Sequence, residues 1–200
     1  MTPPQPPSRR LWIVRHAAPL IAPGTCYGHL DVPADPDATH RTASALAAQL
    51  PGCPTIVTSP LQRCEQLAQA LYALKPDLTK SVDSRLQEMD FGAWEGQAWD
   101  AIGKPAVDAW TDHFAHHAPG GGESLTQMLQ RVHAALNDAC QQSGDVVWIT
   151  HAGVARCVEW LERHGPDRLP HAREWSLPAP AWGAWVTKAL PPDLARQLSS

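Results

Sequence analysis

No stretch of this sequence approaches the ~18 consecutive apolar residues that a membrane helix requires. The N-terminal Met-Thr-Pro-Pro-Gln-Pro-Pro-Ser-Arg-Arg carries charge but no following apolar run of signal-peptide length. There is no Cys-x-x-Cys pair. The five cysteines, at 26, 53, 64, 140 and 157, are odd in number, which fits reduced thiols better than a disulfide framework. There is no excess of basic charge either: Lys+Arg 16 against Asp+Glu 20 gives a net charge of -4. A nucleic-acid groove is therefore not expected. No internal repeat is present. The expectation is a soluble, cytoplasmic protein with no membrane and no nucleic-acid partner.

What the chain does have is enough apolar material for a core. Hydrophobic residues make up 44% of 200 residues, and a chain of this size buries roughly 70% of its unfolded surface. One domain is expected over residues 10–190, between a Pro-rich disordered lead (1–9) and a short tail (191–200). Proline is abundant, at 20 residues, so elements should end abruptly.

Leu11–Val14, Thr55–Thr58 and Asp145–Thr150 read as short apolar strands, and residues 79–83 as a weaker one. Trp182–Val186 is a candidate last strand, in the sheet or at a homodimer contact. Thr39–Leu50, the stretch after Ser59, and 152–163 read as helices. Ser59, Pro60 and Gln62 have the pattern of a capping box, and so do Ser124 and Gln127 ahead of a helix carrying Leu125, Met128, Leu129, Val132 and Leu136. Residues 84–98 read as loop, and 99–117 as one or two short helices ended by Pro119-Gly120-Gly121-Gly122. Strands alternating with helices indicate an α/β layered sheet.

The polar residues fall at telling places. Arg15-His16 ends the first strand, Arg63 opens the helix after the second, and His151 ends the third. Open α/β sheets bind ligands beyond the carboxyl ends of their strands. If these strands are parallel neighbours, two arginines and two histidines converge, and helix N-termini add N–H groups that favour an anion. Two guanidiniums can hold a phosphoryl group and stabilise its oxygens during transfer. A neutral histidine can attack phosphorus, and a second can donate to a phosphoryl oxygen. A carboxyl group must then serve the leaving oxygen and the attacking water. Glu88 is the leading candidate, with Asp90 and Glu95 as rivals.

The same residues carry a resemblance. Val14-Arg15-His16-Ala17 resembles the Arg-His-Gly signature of the histidine phosphatase (phosphoglycerate mutase-like) superfamily. Ser59-Pro60-Leu61-Gln62-Arg63-Cys64 is similar to its second signature. Glu88–Gly96, Gly122-Glu123-Ser124 and Thr150-His151-Ala152-Gly153 match three further blocks in the family's order. The resemblance implies a three-layer α/β/α sandwich with a mostly parallel central sheet. It implies His16 as phosphohistidine nucleophile and Arg15, Arg63, His151 and Ala152 around the phosphate. It also implies Glu88 as proton donor, a small phosphate ester as substrate, inorganic phosphate as product, and no metal or other cofactor.

Gly24-Thr25-Cys26-Tyr27-Gly28 with Asp31-Val32-Pro33 looks most like bacterial alpha-ribazole phosphatases, which act late in cobalamin assembly. That makes Thr25, Cys26 and Tyr27 candidate substrate contacts. A broad phosphatase, a mutase and a phosphate-binding module with failed catalysis are the other readings. Two positions depart from the family pattern: Ala17 stands where Gly is common, and Ala22 where many relatives have Asn.

Other features have plainer readings. His113, His116 and His117 could share a helix face and a metal, but no nearby Cys or carboxylate pair completes such a site. Trp94, Trp99 and Trp110 lie where the pocket should be covered and could stack on an aromatic substrate. Gly120–Gly122 is a turn or hinge.

Overall fold

The computed structural model describes residues 9–190. The lead at 1–8 and the tail at 191–200 lie outside the described residues. The continuous apolar run near the N-terminus forms β1 (Arg10–Arg15), and the run at 146–150 forms β4 (Val146–Thr150). They pair in parallel, Leu11 beside Val146 through Arg15 beside Thr150. β2 (Thr55–Thr58) lies parallel on the other side of β4, and β3 (Thr79–Val82) lies parallel to β2. β5 (Trp185–Ala189) closes the opposite edge, antiparallel to β1. The order is β3-β2-β4-β1-β5. The last strand thus joins the main sheet, three residues later than its sequence pattern predicts, because its register is set by β1.

Apolar runs with no polar alternation are what a strand covered on both faces needs. Leu11, Ile13, Val146 and Trp148 face one helical layer, made by α5 (Leu125–Cys140) and α6 (Ala152–His164). Trp12, Val14, Val147 and Ile149 face the other, made by α1 (Pro36–Gln49) and α2 (Gln62–Leu74). This is the expected α/β/α sandwich. Trp148 on β4 and Trp160 on α6 are fully buried, each worth on the order of 3–5 kcal/mol by the cost of truncation. Two short helices, α3 (Trp99–Ile102) and α4 (Lys104–Asp112), cover the carboxyl end of the sheet. Among the described residues no helix is long and apolar enough to cross a membrane. All five cysteines are free thiols.

The helix starts separate structural caps from functional ones. Asp35 caps α1 through Ala38, and Ser124 and Gln127 form the expected capping box on α5. The second expected box does not form. α2 begins at Gln62, with Leu61 at its N-cap and no side-chain cap of its own. The Gln62 amide instead donates to the Asp31 carboxylate, 2.7 Å away, from the loop after β1. Ser59 is turned to other use, described below. α6 also lacks a side-chain cap, since its N-cap residue is His151.

Candidate active site

Parallel pairing brings three strand ends together. The His16 amide donates to the Thr150 carbonyl at 3.1 Å, and the Ser59 amide to the Ile149 carbonyl at 3.0 Å. The chain therefore leaves β1, β2 and β4 at one place, and the side chains just past each end must meet. The imidazoles of His16 and His151 sit edge to face, with ring centroids 5.2 Å apart. Both are buried. Nδ1 of His16 lies 2.7 Å from the Ala17 carbonyl oxygen. A carbonyl only accepts, so Nδ1 carries the hydrogen and Nε2 keeps its lone pair. Ala17 takes this place without strain, because no residue other than glycine has a positive φ among the described residues.

His151 is fixed differently. Its Nε2 is 2.9 Å from Ser59 Oγ and 3.5 Å from Cys64 Sγ. The Cys64 thiol is pushed far up in pKa by burial and stays protonated. Ser59 Oγ also accepts the Leu61 amide at 3.4 Å, which leaves its hydrogen free for His151. The serine expected to cap α2 is therefore an orienting partner for the second imidazole.

Two arginines flank the histidines. Arg63 is completely buried. Its Nη1 and Nη2 donate to the carbonyls of Leu30 (2.9 Å) and Gly28 (2.6 Å), its Nε has no partner, and Tyr27 lies under its guanidinium at 5.5 Å. Arg15 donates from Nη1 to the Pro180 carbonyl at 3.1 Å and lies over Trp182, and its Nε is likewise buried and unpartnered. Neither arginine has a carboxylate within 4.0 Å among the described residues. A buried cation without a counter-charge costs several kcal/mol, and a bound oxyanion offsets that cost. Burial first, and the Arg63 charge second, push the His16 pKa down to about 3, against a smaller upward pull from the Ala17 carbonyl. The same two causes hold His151 well below its ordinary value. Both rings are neutral at pH 7, in a cup whose positive charge resides on the guanidiniums.

Glu88 reaches this cup from the loop after β3. Its Oε2 accepts the Gly153 amide at 3.0 Å and its Oε1 the Met89 amide at 3.1 Å. A Cβ at Gly153 would sit 2.0 Å from Oε1, so only glycine leaves room for the carboxylate. The loop is held from beneath by Arg131 on α5. Arg131 donates to the carbonyls of Arg85, Gln87 and Glu88 and pairs with both oxygens of Glu123. The two rivals of Glu88 have other work. Asp90 accepts the Gly92 amide. Glu95 gathers the amides of Gly28, His29, Leu30 and Phe91 at 2.8–3.1 Å. The 28–30 loop is thereby clamped by its amides on Glu95, while its carbonyls hold Arg63. Sequence reading missed both supports, since their partners lie far along the chain.

Beside the cup is a cavity of about 320 Å³ lined by Arg15, His16, Glu88, Ala152, Gly153 and Arg156, among others. Its outer wall is aromatic. Trp99 and Trp110 are near-parallel at 12° with centroids 6.4 Å apart, and Phe91 meets each edge-on. Gly120 makes this wall possible: its φ is +62, and a Cβ there would lie 2.2 Å from the Phe91 carbonyl oxygen.

Of the candidate substrate contacts, Thr25 and Tyr27 line the cavity, but Cys26 does not. Cys26 is fully buried, with a thiol pushed up to about 12 by burial and the Glu95 charge, and packs the loop. Trp94 stands behind Trp99 and Trp110, in edge contact with both. Ala22 is exposed and away from the cavity. The three histidines at 113, 116 and 117 share no helix face, because α4 ends at Asp112. No group of three potential ligands that could hold a metal occurs among the described residues.

The arrangement can hold a tetrahedral oxyanion against a bare imidazole nitrogen with a carboxyl beside it. Comparison with known proteins agrees with that chemistry. The family model of the histidine phosphatase superfamily (branch 1) matches residues 11–173. The chain is 30% identical over 153 residues to phosphoglycerate mutase-like protein 4 of Arabidopsis thaliana, covering 70% of this chain and 64% of that one. It is 33% identical over 93 residues to a probable phosphoglycerate mutase of Yersinia pestis, covering 44% and 42%. The match thus spans less than two thirds of either relative. Among solved structures, a mycobacterial glucosyl-3-phosphoglycerate phosphatase superposes with a TM-score of 0.73 at 25% identity, covering 90% of this chain and 89% of its own. A Thermus thermophilus protein superposes with a TM-score of 0.67 at 27% identity, covering 89% and 92%. The chain belongs to the histidine phosphatase superfamily, branch 1.

Proposed function

We propose that the chain is a phosphomonoesterase that works through a phosphohistidine, without a metal. The observation that carries the reading is the His16 ring: its Nδ1 faces the Ala17 carbonyl, so a bare Nε2 faces a cup of unpaired guanidinium charge. His16 Nε2 attacks phosphorus, and the P–O bond to the alcohol breaks as the Glu88 carboxyl gives its proton to the leaving oxygen. Arg15, Arg63, His151 and the start of α6 at Ala152 hold the equatorial oxygens while charge redistributes. Water then attacks the phosphoryl group, its proton passes to Glu88, and the P–N bond breaks to release phosphate. Two guanidiniums supply the positive charge that a divalent ion would otherwise bring.

Within that class, alpha-ribazole 5′-phosphate is the proposed substrate. Two features support it. The loop carrying Thr25 and Tyr27 resembles that of alpha-ribazole phosphatases, and the Trp99–Trp110 wall suits a planar benzimidazole. Likeness to the mycobacterial phosphatase over most of both chains favours hydrolysis over transfer between hydroxyls.

The test is a quench experiment with turnover. The wild type mixed with alpha-ribazole 5′-phosphate should yield free phosphate and an acid-labile phosphoenzyme, and His16→Ala should yield neither. Phosphate release by His16→Ala at the wild-type rate would falsify the nucleophile. Isomerised ester without free phosphate would make the protein a mutase. Rapid hydrolysis of simple esters with slow hydrolysis of the alpha-ribazole ester would leave the phosphatase and remove the substrate.

A further inference from the structure

Most of the cavity is explained by the phosphate cup and the aromatic wall, but Arg156 is not. It lies on α6, three residues after Gly153, so both project from one helix face about one turn apart. Ala152, Gly153 and Arg156 all line the same cavity. The Arg156 Nε donates to the Leu177 carbonyl at 3.2 Å, which fixes the plane of the guanidinium. Its Nη1 and Nη2 have no hydrogen-bond partner, and no carboxylate lies within 4.0 Å, among the described residues. A third cation thus stands on the wall of a pocket whose phosphate cup already has two, and Arg15 feels it as a like charge. Arg156 is half-buried, so its unpaired fork is open to a ligand that enters the cavity.

We infer that Arg156 is a specificity-determining residue: its free Nη1 and Nη2 donate side by side to two neighbouring acceptor oxygens on the alcohol half of the ester. The inference rests on the phosphomonoesterase reading. Helix geometry sets the reach. The Gly153 amide holds the Glu88 carboxyl, which serves the ester oxygen. Arg156 stands about 5 Å further along α6, a distance that corresponds to oxygens a few bonds into the alcohol. A planar fork with two parallel N–H groups suits a vicinal diol of a sugar or a carboxylate. The phosphate is thus held at the strand ends, the middle of the alcohol by Arg156, and any ring by Trp99 and Trp110.

The experiment compares selectivity in the full-length protein. Phenyl phosphate offers a ring and no acceptor pair, alpha-ribazole 5′-phosphate offers a ribose diol, and 3-phosphoglycerate offers a carboxylate. For each acceptor-bearing ester, the readout is its kcat/KM divided by that of phenyl phosphate. Arg156→Gln should lower that ratio about 10–100-fold for one of the two, the loss expected when a charge-assisted pair is removed. Loss with the riboside names the diol, and loss with the glycerate names the carboxylate. A ratio unchanged for both overturns the inference, whether all activities fall together or none falls. Arg156→Lys keeps the cation and stem without the fork and is measured the same way, so a folding defect in the glutamine variant does not decide the result. A wild type that hydrolyses none of the three sinks the phosphatase reading. The Arg156 inference is then judged by calorimetric affinities for the same esters, with the same ratio as criterion.

Discussion

Gly153→Ala separates the chemistry of the site from the stability of the fold. Gly153 is the second residue of α6 and does not have a positive φ, so alanine fits the backbone. The backbone amide is kept as a donor, and within a helix Ala is favoured over Gly by about 0.8–1 kcal/mol. What changes is space. The new methyl would lie 2.0 Å from Glu88 Oε1 and 3.0 Å from both Glu88 Cδ and Met128 Cε. Restoring an ordinary contact of about 3.4 Å requires the carboxylate to retreat by about 1.4 Å. The carboxylate ends a flexible side chain, so it moves and the helix does not. A misplacement of about 1 Å costs on the order of 10²-fold in rate, and loss of a general acid costs about 10²–10⁴-fold. The expected result is a kcat at least ~100-fold lower with a melting temperature equal to or above the wild type's. In a cycle with Glu88→Gln, the double variant should lose little beyond either single one, because both remove the same positioned carboxyl. A stable Gly153→Ala protein with kcat within about threefold of wild type would refute the reasoning and put the proton donor elsewhere.

Two further outcomes follow from the electrostatics and the loop. His16 titrates near 3 in the folded chain and near 6.5 unfolded, and His151 is shifted the same way. Between those values the unfolded chain binds more protons, so stability is full above pH 6.5 and falls as pH drops toward 3. The slope is up to about 1.4 kcal/mol per pH unit for each histidine. Denaturant midpoints at pH 7, 6 and 5 check this, and His16→Ala should flatten the decline; an unchanged slope in that variant would count against the buried neutral ring. Glu95→Gln replaces one of two acceptor oxygens with an amide that faces backbone N–H donors. It should destabilise the chain by about 1–3 kcal/mol. It should also raise the inhibition constant of inorganic phosphate, since the clamped loop supplies the carbonyls that hold Arg63. Reduced stability with an unaltered phosphate constant would confine Glu95 to the loop.

The layered architecture and the four cup residues were legible because their signals are local. Leu11–Val14 and Val146–Thr150 are apolar without alternation, which requires cover on both faces. Arg15-His16 and His151 directly follow such runs, so a parallel sheet has no choice but to gather them. Ser59 shows the limit of this reading. Its capping pattern is the same in form as that of Ser124, which does cap α5. The difference is that β2 lies beside β4, putting the Ser59 hydroxyl 2.9 Å from His151 and leaving Asp31 to satisfy the start of α2. Cys26 illustrates the converse: it is adjacent in sequence to two cavity residues, but alternation along an extended loop turns it inward.

The sequence alone determined the α/β class, the strands that end in ionisable residues, and the set of side chains able to handle a phosphoryl group, because each depends on neighbours within a few residues. Tertiary structure alone decided which nitrogen of His16 is bare, that Arg63 is buried without a counter-charge, that Glu95 and Arg131 brace the loops around it, and that Arg156 faces the cavity with its fork free. The His16 ring is set by the neighbouring Ala17 carbonyl, which only the folded turn after β1 brings onto Nδ1; the other properties depend on partners tens of residues away, and only the closed sheet and its covering helices set those distances.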